Sequence, residues 1–196
     1  MSANTFFDYQ LYIFDFDNTL YAERDYLFAA YQQIEIVLNT KGLADFLKSE
    51  FDNHGREKLF NKLIKRFSLS ESEIEKCLYV LRTVQLSSPL LFIPGTVTLL
   101  NILRTQSKTL VLLTNGNVLQ QKNKLQQLET DIYQWFEEVV FANEIAPKPS
   151  AESVFYILKK TNVSASAAIL IGDSDVDRQA AHNAGIAFLH ADNLPR

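Results

Sequence analysis

Five short apolar runs punctuate the chain, at residues 11–14, 110–113, 139–141, 169–171 and 187–189. None alternates with polar residues, as expected of parallel strands covered on both faces. Between the later runs the apolar spacing changes to that of helices. Val97, Leu100, Ile102 and Leu103 follow Pro94-Gly95. Leu119, Leu125 and Leu128 follow Asn117, and Val154, Phe155 and Leu158 follow Ser150, which is placed to cap a helix N-terminus. A last helix is predicted from about Asp177 to Ala184, stopping at Gly185. Strands alternating with helices predict an α/β fold with a doubly wound, Rossmann-like parallel sheet.

Residues 22–92 carry a different pattern, helical throughout and with no convincing strand. Tyr26, Leu27, Ala30, Tyr31, Ile34 and Leu38 form one stripe, and Leu59, Phe60, Leu63, Ile64 and Phe67 another. Ser70 and Glu73 have the spacing of a capping box ahead of Ile74, Cys77, Leu78 and Leu81. The expected organisation is a discontinuous α/β core, residues 1–20 and 93–196, with a helical domain at 21–92 inserted after the first strand. The stripes read most simply as the core of that helical bundle.

Composition narrows the class. The 196 residues suit one domain or one domain with an insertion, and 14 Phe with 8 Tyr supply bulk for a core. A formal charge of −4 gives no basic face for a nucleic-acid polymer. A single cysteine, Cys77, cannot form an internal disulfide and reads as a small buried hydrophobe. The N-terminal stretch MSANTFFDYQ lacks the basic region of a secretory signal, and no run approaches a membrane span. A cytoplasmic protein, not attached to a membrane and monomeric or weakly dimeric, is the expectation.

The chemistry lies where the strands end. The first run closes on Asp15 and Asp17, the second on Thr114-Asn115-Gly116, and the fourth on Gly172-Asp173; Lys148 stands between Pro147 and Pro149 after the third. In open α/β sheets ligands bind beyond the carboxyl ends of the strands, so these groups are expected in one crevice. Asp15, Asp17 and Asp173, with Asp177 close behind, would gather carboxylates that repel each other by roughly 4 kcal/mol per pair at about 4 Å and an effective dielectric near 20. Such a cluster calls for cations or retained protons. All-oxygen donors favour a hard ion, and magnesium suits few carboxylates together with water and phosphate. Lys148, the Thr114 hydroxyl, Asn115, Gly116 and the following helix N-terminus add phosphate-binding groups. Together they describe metal-assisted phosphoryl transfer.

Taken singly, the same residues have blander readings. Asp-Asn is a common turn pair, Lys148 alone would be a solvated lysine, and Thr114-Asn115-Gly116 alone a simple loop. GDSDVD lacks the Gly and terminal Glu of a calcium-binding EF-hand loop at the required spacing. His182 and His190 read as surface or packing residues. His54 and Arg56 lie in a loop of the helical insertion, and Trp135 beside Phe136 reads as packing.

DFDNT, LLTNG, PKP and GDSDVD occur in this order and resemble the four motifs of the haloacid dehalogenase superfamily, in its aspartate-nucleophile phosphatase branch; AAHNAG after the last motif agrees as well. The resemblance covers residues 11–191, and the insertion resembles that family's helical cap. It implies that Asp15 is the nucleophile that becomes an aspartyl-phosphate and that Asp17 is the general acid and then base. Magnesium would be held by the Asp15 carboxylate, the Asp17 main-chain carbonyl and Asp173. Thr114 and Lys148 would bind the transferring phosphoryl group, with Asp177 orienting Lys148. DNTLY, and TNG followed by Gln121 and Lys124-Leu125, resemble nucleotidase and sugar-acid phosphatase members. A nucleoside monophosphate is therefore the first substrate expected among small phosphorylated metabolites, with phosphoglycolate and sugar phosphates open.

Two departures stand out. Ala151 replaces a proline found in many members. The sequence ends at Arg196, soon after the fifth strand, where many members add a helix, so a less covered sheet edge is expected and the order of the terminus is left open. Three other functions compete with the phosphatase. A phosphomutase is the alternative; a dehalogenase would lack Asp17; and a non-catalytic binding module would not need the full set of acid, base, lysine and metal ligands.

Overall fold

A computed structural model describes residues 6–56 and 58–196. Within the N-terminal leader, residues 1–5 lie outside the described residues. Two compact units are distinguished, one comprising the chain up to Ala22 together with Leu90–Arg196, the other Glu23–Pro89.

The first unit is built on a five-stranded parallel sheet: β1 (Leu11–Phe14), β2 (Thr109–Thr114), β3 (Glu138–Phe141), β4 (Ala168–Gly172) and β5 (Ala187–His190), in the order β3-β2-β1-β4-β5. All five predicted runs are strands. Four of them extend by a residue or two as flanking residues join the ladder, as where the Thr109 N–H donates to the Gln10 carbonyl at 2.9 Å. Every residue of β1 and β4 is buried. The pleat sends Leu11, Ile13, Val111, Leu113 and Leu170 to one face, where they meet Val154, Ile157, Ala180 and Ala181. The other face carries Tyr12, Phe14, Leu110, Leu112, Ile169 and Ile171, and Phe14 meets the Phe136 ring edge to face at 5.8 Å. Both faces are thus covered, which is why the strands are uninterrupted apolar runs.

Four helices connect the strands: α5 (Thr96–Thr105), α6 (Val118–Gln126), α7 (Glu152–Thr161) and α8 (Asp175–Ala184). The four helices before them form the second unit. Asn117 caps α6 by accepting the Gln120 N–H, and Gly185 ends α8 in the left-handed conformation. Two boundaries differ from expectation. The Ser150 N–H closes a turn onto the Pro147 carbonyl, so α7 starts one residue later, with Ala151 at the cap and Ser150 Oγ accepting the Glu152 N–H at 3.3 Å. Helix α8 starts at Asp175 rather than Asp177, because Ser174 and Asp177 form a capping box. The terminus, left open by the sequence, is tied down: the Arg196 guanidinium donates to the Thr19 carbonyl at 3.1 Å and to Thr96 Oγ1 at 2.8 Å.

The second unit contains α1 (Glu23–Leu38), α2 (Leu43–His54), α3 (Leu59–Phe67) and α4 (Glu71–Thr83). Helix α1 packs on α2 and α4, burying Tyr26, Leu27, Ala30, Tyr31 and Ile34; Leu38 is only partly covered. The Tyr26 hydroxyl donates to the Leu81 carbonyl at 2.8 Å, and the Ser70–Glu73 capping box is present. Arg56 pairs with the buried Glu23 at 2.7 Å, whereas His54 is exposed at the end of α2. No helix among the described residues is long and apolar enough to cross a membrane.

Candidate active site

The strand order turns at β1, which has β2 on one side and β4 on the other. A crevice opens at such a point, beyond the carboxyl ends of the strands. Asp15 follows β1 directly, its N–H donating to the Ile171 carbonyl at 2.8 Å, so the β1–β4 ladder itself sets its position. The chain then turns through Asn18, at φ 57°, with the Thr19 and Leu20 N–H groups donating back to the Phe16 carbonyl. This turn keeps Phe16 in the core and leaves the Asp17 side chain partly open to solvent, 16% exposed.

Lys148 is the hub of one half of the site. Its Nζ donates to Asp15 Oδ1 at 2.5 Å, to Asp177 Oδ1 at 2.5 Å and to the Leu113 carbonyl at 3.1 Å. The Asn115 side chain sets its backbone, accepting the Lys148 N–H at 2.9 Å and donating to the Lys148 carbonyl at 2.8 Å. Asp177 is fixed from the other direction. One oxygen faces Lys148, while the other accepts from the Ser174 N–H at 3.2 Å and from the Ser174 hydroxyl. A Cβ at Gly172 would lie 2.5 Å from Asp177 Oδ2, so only glycine there lets this carboxylate pack against the strand end.

Asp15, Asp173 and Asp177 each offer a carboxylate oxygen within 4.8 Å of the others. One ammonium does not balance three carboxylates. Burial pushes the Asp15 carboxyl up to about 7 against the pull of Lys148, with repulsion from Asp177 and Asp17 adding to the rise. Asp173 is also raised, by burial and then by Asp177. Burial alone would lower Lys148, but Asp15 and Asp177 outweigh it and hold the ammonium above its ordinary value. The donors are all oxygen and carry excess negative charge, which fits a hard divalent cation.

Asp17 occupies different surroundings. Oδ1 accepts from Lys124 Nζ at 2.8 Å and from the Tyr21 hydroxyl, and Oδ2 accepts from Gln121 Nε2 at 3.0 Å. Burial pushes this carboxyl up, but Lys124, Tyr21 and Gln121 outweigh it and hold it below the usual range. Thr114 lies alongside: its hydroxyl accepts from Gln121 Nε2 at 2.5 Å and donates to the Asn115 carbonyl at 3.2 Å.

The structure thus brings Asp15, Asp17, Thr114, Asn115, Lys148, Asp173 and Asp177 to one end of the sheet. Gly116 is there too, but its N–H donates to Asn143 Oδ1 at 2.8 Å, so in this arrangement that amide is engaged with the protein. The sequence pattern gives no site role to Gln121, Lys124, Tyr21 or Asn143. Gln121 and Lys124 are visible there only through the motif in which they recur, although their spacing of three puts them on one face of α6. His190, expected to serve only packing or the surface, backs the site: Nδ1 accepts the Asp192 N–H at 3.3 Å, leaving Nε2–H to donate to the Asp173 carbonyl at 2.9 Å.

Comparison with known proteins agrees with this architecture. The family pattern described as haloacid dehalogenase-like hydrolase matches residues 12–191. Similar solved structures include YfnB, a candidate HAD-hydrolase from Bacillus subtilis bound to magnesium, at 20% identity and TM-score 0.70, covering 92% of this chain and 85% of that one. CbbY from Rhodobacter sphaeroides in complex with phosphate matches at 16% identity and TM-score 0.65, over 93% and 85% of the two chains. A candidate beta-phosphoglucomutase from Thermotoga maritima matches at 21% and 0.67, over 90% and 82%. At these identities the likeness is one of fold. No curated protein matches the chain.

Proposed function

The chain belongs to the haloacid dehalogenase-like hydrolases, and from that premise we propose that it is a magnesium-dependent phosphatase acting on a small phosphomonoester through a phosphorylated Asp15. One observation carries the reading: a buried lysine is shared by Asp15 and Asp177, and the carboxylate two residues after Asp15, that of Asp17, is held by its own donors. A carboxylate attacks an anionic phosphate only where cations offset the repulsion. The Asp15 and Asp173 carboxylates and the Asp17 main-chain carbonyl would hold magnesium, with Asp177 the remaining member of the cluster. When bound, the ion supplies charge neutralisation for the nucleophile and the phosphoryl oxygens.

The protein's own groups then divide the work. Asp15 attacks phosphorus, forming an Asp15–O–P bond as the bond from phosphorus to the ester oxygen breaks. Asp17, ionised while the site is empty, takes up a proton as the anionic ester enters beside it and delivers that proton to the departing oxygen. Water next attacks the phosphorus of the acyl phosphate, its proton passing to Asp17, and inorganic phosphate leaves with Asp15 restored. Lys148 and Thr114 bind the phosphoryl oxygens; Asn115 holds the Lys148 backbone, and Gly116 shapes the adjoining turn. Asp177 keeps the Lys148 ammonium on the nucleophile.

A nucleoside monophosphate is the first substrate to test, in a cytoplasmic setting and without a nucleic-acid polymer, a membrane or an obligate oligomer. The fold likeness to the Thermotoga maritima protein favours one alternative, a phosphomutase, in which the phosphoryl group returns to the substrate. A direct trial uses p-nitrophenyl phosphate, then a panel of nucleotides and sugar phosphates, with magnesium and with chelator. Phosphate release that needs magnesium and is lost in Asp15→Asn is expected. Isomerised sugar phosphate without phosphate release would favour the mutase, and activity indifferent to chelator would overturn the metal assignment.

A further inference from the structure

Lys124 is 1% exposed, lies on α6 and puts its Nζ 2.8 Å from Asp17 Oδ1. Gln121, one turn earlier on the same helix, donates to Asp17 Oδ2 at 3.0 Å, and the Tyr21 hydroxyl donates to Oδ1. Three donors from two elements thus converge on one carboxylate. A buried ion pair is a poor way to gain stability, because desolvation cancels much of the attraction. What the pair does supply is a single orientation for Asp17, the group that must reach both the departing oxygen and the attacking water.

We propose that Lys124, assisted by Gln121 and Tyr21, is a positioning residue that acts through Asp17, aiming its carboxyl group for proton transfer to and from substrate. Through Gln121 Nε2, which also reaches Thr114 Oγ1 at 2.5 Å, the same clamp ties Asp17 to a group that binds the phosphoryl oxygens. The proposal rests on the phosphatase reading, and its test separates the two.

Phenyl and p-nitrophenyl phosphate differ in how much their leaving oxygen needs a proton, so the ratio of their kcat/KM values reports proton delivery to the leaving group. Asp17→Asn should lower kcat/KM for phenyl phosphate at least about tenfold more than for p-nitrophenyl phosphate. Lys124→Met should shift the ratio in the same direction, and Lys124→Arg should restore most of it. In the Asp17→Asn background Lys124→Met should change the ratio less than about twofold, because groups acting as one unit are not additive. A merely structural Lys124 would slow both esters alike and additively, and that result overturns the proposal. If Lys124→Met does not fold, Tyr21→Phe, which removes one oxygen and one of the three donors, takes its place in the cycle: a non-additive shift of the ratio supports the clamp, and an additive, ester-independent loss overturns it. If Asp17→Asn itself leaves the ratio unchanged, or the wild type hydrolyses neither ester, the phosphatase reading fails and the proposal falls with it. A shifted ratio in Asp17→Asn but not in the clamp variants overturns the clamp alone.

Discussion

Asp15 and Asp17 stand two residues apart at the end of one strand, yet the two sides of the site treat them oppositely. On the β4 side, Asp15 shares a single ammonium with Asp177 and faces further acids, so it is held up, near 7. On the α6 side, Asp17 accepts from Lys124, Gln121 and Tyr21 and is held down. The difference teaches how one turn of chain can supply two carboxylates with separate tasks. The first is short of positive charge and invites a cation and a phosphate; the second is fully partnered and oriented before substrate arrives.

The largest expected break in this contrast is Asp15→Asn, which under the proposed mechanism should reduce turnover by roughly 10⁴-fold or more, since no neighbour could replace a nucleophile that bonds to phosphorus. Steady-state phosphate release, with binding of a phosphate analogue as control, measures it. Lys148→Met should follow, at about 10³-fold, because it removes the charge that offsets the approach of carboxylate to phosphate. Gly172→Ala should cost about tenfold or more by displacing Asp177 and loosening Lys148, and a crystal structure of the variant would show the shifted carboxylate.

The two carboxylates should also differ in the sign of their pH dependence. Because the Asp15 pKa is raised on folding, its contribution is fully present below about 4 and is lost as pH rises through about 7. Metal-free protein should therefore lose up to about 4 kcal/mol over that window. Asp15→Asn should remove the larger part of the loss, leaving Lys148 paired with Asp177 and the raised Asp173 with its own share, and magnesium should reverse the loss in the wild type. Asp17, whose pKa is lowered, contributes stability above its unfolded value that disappears only as the medium becomes more acidic. Urea unfolding from about pH 2 to about pH 8, with and without magnesium, resolves the two signs. The smallest effect is expected of His190→Gln, a few-fold weakening of magnesium binding as the Asp173 carbonyl loses its Nε2–H partner.

Much of the fold is legible in the sequence because its strands are buried on both faces and appear as bare apolar runs. The Ser70–Glu73 capping box is legible because its two residues are local to each other. The start of α8 is harder to place: Ser174 and Asp177 have capping spacing, but they lie in a run of acids whose more obvious use is metal binding. The strand ends point to Asp15, Asp17, Lys148 and Asp173 because α/β topology gathers whatever follows its strands. The Asp17 clamp cannot be read in the same way. Gln121 and Lys124 sit more than 100 residues from Asp17 in sequence, and a lysine amid polar helix residues looks like solvated surface until its burial is seen. Arg196 is similar, since only the fold carries it to Thr19 and Thr96.

The central claim, that Asp15 is the group that takes up phosphate, has a direct measurement. Asp17→Asn protein, in which the proposed mechanism slows hydrolysis of the acyl phosphate, is mixed with magnesium and p-nitrophenyl phosphate, quenched in acid within one turnover, digested and analysed by mass spectrometry. Phosphate is predicted on the peptide that contains Asp15, at a carboxyl group that hydroxylamine cleaves. An unmodified Asp15 peptide, with phosphate release continuing in Asp15→Asn, would contradict the account.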